Sequence, residues 1–284
     1  MTRPVAALGL LALLTPATAL AQTDRQATQR GAAWLESLSV DSVGQQADAI
    51  VALAAAGRSR QSLRARLRAM SGVSPAYAIT AGAAAKVVLA AVAGGGDPRS
   101  LGGVDYITRI ERQYAAGRYG ATAYDQAYAM LALRAAGLPV PRAAVTALRA
   151  ARGTGGWGFA LRKAGPDDVS ATGLTIEAMR AAGVTRSDAA LRGATKWLTA
   201  QSNARGGFAI DGGGRATEAN STAIAIRALR AMGRTPPTAT RRALRGLQEA
   251  DGGFRFTPTT RESRLLATLD AVLALSGRRL PPPY

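Results

Sequence analysis

The feature that most constrains this chain is a helix ending that recurs along its length. A run of small apolar residues closed by glycine appears about every 44 residues, a spacing typical of helical repeat proteins. These glycines are Gly57, Gly95, Gly137, Gly183, Gly233 and Gly277. Glycine is favoured just after a helix because it adopts the left-handed backbone conformation without steric cost. The pattern therefore predicts six copies of one helical unit.

A second helical segment lies between successive endings, so each unit is predicted to contain two helices. In the later units a glycine-rich aromatic turn separates them, at Trp157, Phe208 and Phe254. One predicted set covers residues 26–38, 60–71, 100–115, 141–152, 186–202 and 237–249. The other covers residues 44–57, 75–93, 123–137, 169–183, 219–233 and 262–276, and it is more apolar. A helix buried on most sides loses its polar stripe, so we expect the second set to be inner and the first outer.

This arrangement predicts an all-α fold of six helix hairpins. Six inner and six outer helices are compatible with a closed α/α barrel, and equally with an open solenoid of stacked hairpins. The repeat spacing by itself leaves both architectures open.

The first 21 residues have the pattern of a secretory signal. Arg3 supplies a positive start, residues 5–14 form a short apolar run, and residues 19–21 (Ala-Leu-Ala) form a small-x-small cleavage pattern. The alternative is an N-terminal helix of the fold. We expect removal of residues 1–21, a single domain over residues 22–284, and a secreted or periplasmic protein. No later apolar run is long enough to cross a bilayer, so no transmembrane segment is expected after cleavage.

The composition excludes several classes of chemistry. The chain has no Cys and no His, which excludes thiol nucleophiles, imidazole bases and the usual zinc ligands. We therefore expect no zinc site and identify no cofactor. Lys and Arg total 36 against 18 Asp and Glu, a net charge of +18. Such a charge attracts anionic cell-surface polymers, whereas export and a low aromatic content argue against nucleic acid as a partner.

Two segments carry a resemblance to a known family. Residues 192–208, with Trp197 followed by Gln201 and Gly-Gly-Phe208, resemble the Gln-Trp repeat of squalene and terpenoid cyclases. Residues 218–223 (Glu-Ala-Asn-Ser-Thr-Ala) resemble the Asp-x-x-Ser-Thr-Ala signature of the same repeats. The resemblance covers most of residues 22–284 and implies an (α/α)6 toroid. Members of this superfamily include cyclases, protein prenyltransferases, thioester domains and cobalamin carriers.

The sequence departs from most members of that superfamily. It lacks the Cys and His of the prenyltransferase zinc site and the Cys of the thioester domain. The nearest match to the cyclase Asp-x-Asp-Asp acid is Gly165-Pro-Asp167-Asp168, which lacks the first Asp. The resemblance therefore implies the binding branch, which contains the cobalamin carriers, with a relic cyclase as a more distant alternative. Those carriers close their site with a second, β-rich domain, and we expect only the toroid here.

Carboxylates recur at the predicted starts of three inner helices. Asp168, Glu218 and Glu262 each stand fifteen residues before a helix-ending glycine. Acidic residues at helix starts commonly cap the helix and complement its dipole. The functional interpretation is an acidic arc at one mouth of the toroid, which in an enzyme would supply a glycosidase-like carboxylate pair.

Polar side chains also stand one turn further along otherwise apolar inner helices. Asp125, Gln126, Thr172 and Thr222 either form hydrogen bonds between helices or provide a polar floor that orients a ligand. We therefore expect an exported binding or scaffold module that holds a small, partly apolar ligand or a partner protein. Its candidate ligand-binding residues are Asp125, Gln126, Asp168, Thr172, Glu218 and Thr222. The alternative is a hydrolase acting on glycans through Asp168, Glu218 and Glu262.

Overall fold

The computed structural model describes residues 22–212, 214 and 216–280, so the predicted secretory signal lies outside the described residues. Within them the chain forms thirteen α-helices and no β-strand, which confirms the all-α class. In chain order the helices are α1 (Asp24–Glu36), α2 (Val43–Ala55), α3 (Arg60–Ser71), α4 (Ser74–Tyr77), α5 (Ala81–Ala93), α6 (Tyr106–Arg112), α7 (Ala123–Ala135), α8 (Arg142–Ala151), α9 (Val169–Ala181), α10 (Ala189–Ala200), α11 (Ala219–Ala231), α12 (Thr238–Arg245) and α13 (Arg264–Leu275).

The more apolar helices lie inside the others. Helices α2, α5, α7, α9, α11 and α13 contact one another in that order, and α13 also contacts α2. Each of the more polar helices packs against one or two members of this inner set. The contacts between inner helices therefore follow a cyclic order, with a second layer of helices around them.

The first and last units of the chain are in contact. Helix α1 packs against α12 and α13, and its Asp24 forms ion pairs with Arg241 and Arg245. The Arg264 guanidinium covers the Trp34 ring at 4.9 Å from the ring centroid. Gly31 permits the close approach of α1 to α13, because a Cβ there would lie 2.6 Å from a methyl carbon of Val272.

Several helices are shorter than the sequence indicated, and the largest differences occur at two of them. The inner helix expected over residues 75–93 is divided into α4 and α5, because Thr80 adopts an extended backbone and its hydroxyl caps α5 by accepting from the Ala83 N–H. The outer helix expected over residues 100–115 is reduced to α6. Gly102 and Gly103 have φ values of 59° and 76°, which end a 3₁₀ turn, and the Asp105 carboxylate then caps α6.

Candidate functional site

A cavity of about 600 Å³ lies between the inner helices. All six of them contribute lining residues, from Tyr124 and Ser170 in the first turns of α7 and α9 to Arg227 and Leu273 in the third turns of α11 and α13. The cavity therefore extends along the inner helices from their N-terminal ends.

Most of the cavity wall is apolar. Aliphatic side chains project from four inner helices, namely Val51, Leu89, Ile224, Leu269 and Leu273. The aromatic rings of Tyr77, Tyr124 and Tyr128 lie at the same surface. Such a wall is suited to an apolar molecule or to the apolar part of an amphiphile.

A cluster of charged and phenolic side chains, which we call the interior cluster, has one member from each inner helix, and all of its members except Glu177 line the cavity. Its members are Asp48, Lys86, Tyr128, Glu177, Arg227 and Asp270. The Lys86 Nζ donates to Asp48 Oδ2 at 2.7 Å and lies 5.4 Å from the centroid of the Tyr128 ring. Lys86 and Asp48 therefore form an ion pair whose net charge is zero.

Arg227 in the interior cluster is committed chiefly to Glu177. Its Nε and Nη2 donate to the two Glu177 carboxylate oxygens at 3.1 and 2.5 Å, and both side chains are 4% exposed. The Nη1 of Arg227 reaches Asp270 Oδ1 only at 3.5 Å. The Asp270 Oδ2 accepts from Asn220 Nδ2 at 2.7 Å. Asp270 is thus held by a neutral amide and a distant guanidinium.

Burial is the main influence on the ionisation of this cluster. It raises the pKa values of the Asp48, Glu177 and Asp270 carboxyls, although the facing cations oppose the shift. Burial also raises the pKa of Tyr128 to about 12. For Lys86 burial acts to lower the pKa, but the facing Tyr128 and Asp48 outweigh it and raise that pKa instead.

Two of the predicted ligand-binding residues line the cavity near the helix starts. Asp125 follows the N-cap of α7, and its Oδ2 accepts from the Thr122 hydroxyl at 2.6 Å. Glu218 precedes α11, and its Oε2 accepts from the Ile210 N–H and from the Ser221 hydroxyl, each at 2.9 Å. Glu218 makes no side-chain hydrogen bond to the backbone of α11, so it is not a cap of the expected kind.

The other two carboxylates of the predicted acidic arc are placed differently. Asp168 caps α9 by accepting from the Ala171 N–H at 2.5 Å, and burial raises its pKa. Glu262 is exposed in a turn, one residue before the left-handed Ser263 and outside α13. Of the three carboxylates only Glu218 is a lining residue of the cavity.

Gln126, Thr172 and Thr222 hold the glycine-rich aromatic turns and do not line the cavity. The Thr172 hydroxyl accepts from the Trp157 N–H at 2.8 Å, and the Thr222 hydroxyl accepts from the Phe208 N–H at 3.0 Å. Gln126 acts similarly in its unit, where its Oε1 accepts from a backbone N–H at 2.9 Å and its Nε2 donates to two carbonyls. All three side chains are buried, so their polar atoms must find such partners.

The same interaction recurs in the last unit and reveals a difference in register. The Thr268 hydroxyl accepts from the Phe254 N–H at 2.8 Å, which makes Thr268 the counterpart of Thr172 and Thr222. Thr222 stands eleven residues before its helix-ending glycine, but Thr268 stands only nine before Gly277. Counting back from the glycine therefore misplaced Glu262, and the true counterpart of Glu218 is Arg264.

The interior cluster was missed by sequence reasoning, although the repeat contains a signal for all of its members except Glu177 and Arg227. Tyr128 and Asp270 each stand two residues after the turn-holding residue of their unit, which is Gln126 or Thr268. Asp48, Lys86 and Tyr128 each stand nine residues before the helix-ending glycine of their unit. Charged and phenolic side chains at one register of successive inner helices point towards a shared interior.

The comparisons with known proteins add no assignment to this site. No model of a known protein family matches the sequence, and no curated protein matches it. Among the described residues no group of three or more His, Cys, Asp or Glu side chains is arranged to hold a metal ion. No helix in this part of the chain is long and apolar enough to span a membrane.

Proposed function

We propose that the protein is an exported binding module of the α/α toroid type, related to the terpenoid cyclase-like repeat proteins, that holds a small and partly apolar ligand. The observation that carries the proposal is the cavity of about 600 Å³ to which all six inner helices contribute. Ligand pockets in proteins typically have volumes of about 300–1,000 Å³, mostly apolar walls and a few convergent polar groups. The cavity has each of these properties.

The wall and the polar groups have separate roles in this proposal. Burial of apolar ligand surface against Leu89, Leu269 and Leu273 supplies a driving force of about 25 cal/mol per Å² removed from water. The interior cluster and the carboxylates near the helix starts orient the ligand through hydrogen bonds. Asp125 and Glu218 stay candidate ligand-binding residues on this basis.

A glycan hydrolase that acts through Asp168, Glu218 and Glu262 has less support from the described contacts. A carboxylate pair acting on one bond requires two acids that face the same space. Asp168 hydrogen-bonds to the backbone of its own helix, Glu218 lines the cavity, and Glu262 is exposed outside α13. We therefore place the binding module ahead of the enzyme.

The test uses a probe that fluoresces in apolar surroundings, N-phenyl-1-naphthylamine, with the protein comprising residues 22–284. We expect saturable binding at one site. Ala83→Trp adds an indole to the cavity lining on α5 and should abolish that binding. Ala150→Trp places the same side chain on an exposed position of α8 and should leave it intact.

Equal binding by the wild type and Ala83→Trp would contradict the proposal, provided that thermal melts show both variants folded. Native mass spectrometry of the protein purified from its own host provides a direct search for the natural ligand. A co-purified molecule that is lost in Ala83→Trp and kept in Ala150→Trp would support the proposal.

A further inference from the structure

We propose that the ligand of this cavity carries a cationic amine on an apolar body, and that the Asp270 carboxylate receives the amine. This inference rests on the proposed function and goes beyond it by naming the chemical class of the ligand.

The interior cluster contains one more acid than bases. The Asp48 carboxylate is paired with Lys86 at 2.7 Å, and Glu177 occupies two donors of Arg227 at 3.1 and 2.5 Å. Asp270 is left with the Arg227 Nη1 at 3.5 Å, beyond the usual length of a charge-assisted hydrogen bond. Its carboxylate is therefore the charge in this cluster that lacks a close counter-ion.

A carboxylate in a largely apolar cavity wall, paired only with a distant guanidinium, is stabilised when it takes up a proton or a second cation. The Asn220 amide at 2.7 Å satisfies one oxygen of Asp270 but supplies no charge. Burial raises the pKa of Asp270 although Arg227 opposes the shift, which is the response expected of an acid whose charge is only partly compensated. A ligand ammonium group would supply both the missing charge and a donor for Oδ1.

The rest of the lining favours the same class of ligand. The charged lining residues are the acids Asp48, Asp125, Glu218 and Asp270 and the bases Lys86 and Arg227. The lining is thus acidic in a chain whose net charge is +18, so the overall charge does not determine the selectivity of the cavity. An anionic ligand would meet more acids than bases and would be disfavoured there.

Aromatic and aliphatic groups adjoin Asp270 at the cavity surface. The ring of Tyr128 lies in the same cluster, and its hydroxyl makes no hydrogen bond within the described residues. The Lys86 ammonium already lies against the Tyr128 ring, but the phenolic oxygen can accept a hydrogen bond from a ligand ammonium, so Tyr128 adds a second contact for a cation. Leu269 and Leu273 flank Asp270 on α13 and provide the apolar surface for the body of the ligand.

The experiment compares three probes of equal chain length at pH 7: decylamine, decanol and decanoate. Each is titrated against protein loaded with N-phenyl-1-naphthylamine, and displacement of the fluorescent probe is measured. Decylamine should displace it at about tenfold lower concentration than decanol, the ratio expected for one charge-assisted hydrogen bond. Decanoate should be the weakest of the three.

The variant Asp270→Asn tests the assigned carboxylate. Asparagine keeps an oxygen for the Asn220 amide, so the fold should persist, which a thermal melt of the variant checks. The preference for decylamine over decanol should fall below about threefold, because the charge-assisted hydrogen bond is lost. Asp41→Asn removes an exposed carboxylate and should leave the preference unchanged.

The outcomes separate the two proposals. Failure of the fluorescent probe to bind the wild type would overturn both. Binding of the probe with equal displacement by decylamine and decanol would overturn only the cationic ligand, and the wild type alone is sufficient to show it. Retention of the decylamine preference in Asp270→Asn would overturn the role of Asp270.

Discussion

At the scale of single residues, the interior of this protein contains both satisfied and unsatisfied polar groups. The Thr172 hydroxyl accepts from the Trp157 N–H and donates to the Trp157 carbonyl. Three residues later on the same helix, the Thr175 hydroxyl is buried without a hydrogen-bond partner among the described residues. These two threonines form a matched pair, because both are fully buried on the same helix and they differ only in whether the hydroxyl has a hydrogen-bond partner.

Replacement of each threonine by valine should therefore have opposite consequences. Thr172→Val leaves the buried Trp157 N–H without an acceptor and should lower the free energy of unfolding by about 1–3 kcal/mol. Thr175→Val removes a buried hydroxyl that has no partner and should leave stability unchanged or raise it. Urea unfolding of both variants provides the measurement. Equal losses in the two would contradict the structural role assigned to Thr172.

Asp270 is the second residue whose environment predicts a measurable effect. A carboxyl whose pKa is higher in the folded than in the unfolded state binds its proton more tightly when folded, so its ionisation destabilises the fold. The loss of stability begins as the pH rises above the ordinary value of 3.8 and is complete above the folded pKa.

Asp270→Asn should accordingly raise the melting temperature of the ligand-free protein at pH 7. A gain of about 1 kcal/mol corresponds to about 2–4 °C for a domain of nearly this size. The difference from wild type should disappear once the pH is well below 3.8, because Asp270 is then neutral in both states. Melts across this pH range test the sign, and a lower melting temperature of the variant at pH 7 would refute it.

At the scale of elements, close contacts between helices depend on small residues. Gly31 lies in the interior of α1, where alanine is intrinsically favoured by about 1 kcal/mol. A Cβ at Gly31 would nevertheless lie 2.6 Å from Val272 and 3.3 Å from Phe254. Gly72, at the end of α3, has a helical φ of −68°, and a Cβ at this position would have no neighbouring atom within 4 Å.

These surroundings predict opposite effects for the same substitution. Gly31→Ala should destabilise the protein, because overpacking typically costs about 1–3 kcal/mol and outweighs the gain in helix propensity. Gly72→Ala should stabilise it by about 0.4–1 kcal/mol through a less flexible unfolded chain. Thermal melts of both variants test this pair. A stabilised Gly31→Ala variant would show that α1 does not pack tightly on α13.

At the scale of the whole molecule, contact between the first and last units determines the shape. Helix α1 packs on α12 and α13, and Gln248 Nε2 donates to the Ala27 carbonyl at 2.9 Å. A compact particle of residues 22–284 should have a radius of gyration of about 18 Å. Small-angle scattering provides the measurement, and an elongated particle with a much larger radius would favour an open solenoid.

Local sequence signals determined much of the architecture. Helix-ending glycines, the apolar character of alternate helices and the aromatic turns predicted six two-helix units and their inner and outer sets. These signals are readable because helix capping and burial depend on residues close together in the chain. The division of α4 from α5 escaped prediction, since it depends on the backbone conformation of residues 78–80.

Only the tertiary structure decided which polar residues face the interior. Gln126, Thr172 and Thr222 are polar residues on inner helices, as are Asp48 and Asp270, yet the first three hold turns and the last two line the cavity. Asp270, for example, lies two residues after Thr268, whose hydroxyl bonds to the aromatic turn, so the two side chains leave different sides of the helix. In α13 the turn-holding residue is two residues closer to the helix-ending glycine than in α9 and α11, because Thr268, and not Leu266, bonds to the Phe254 N–H. Helix rotation is set by packing against neighbours distant in sequence, so the site became visible only when all six inner helices were in place.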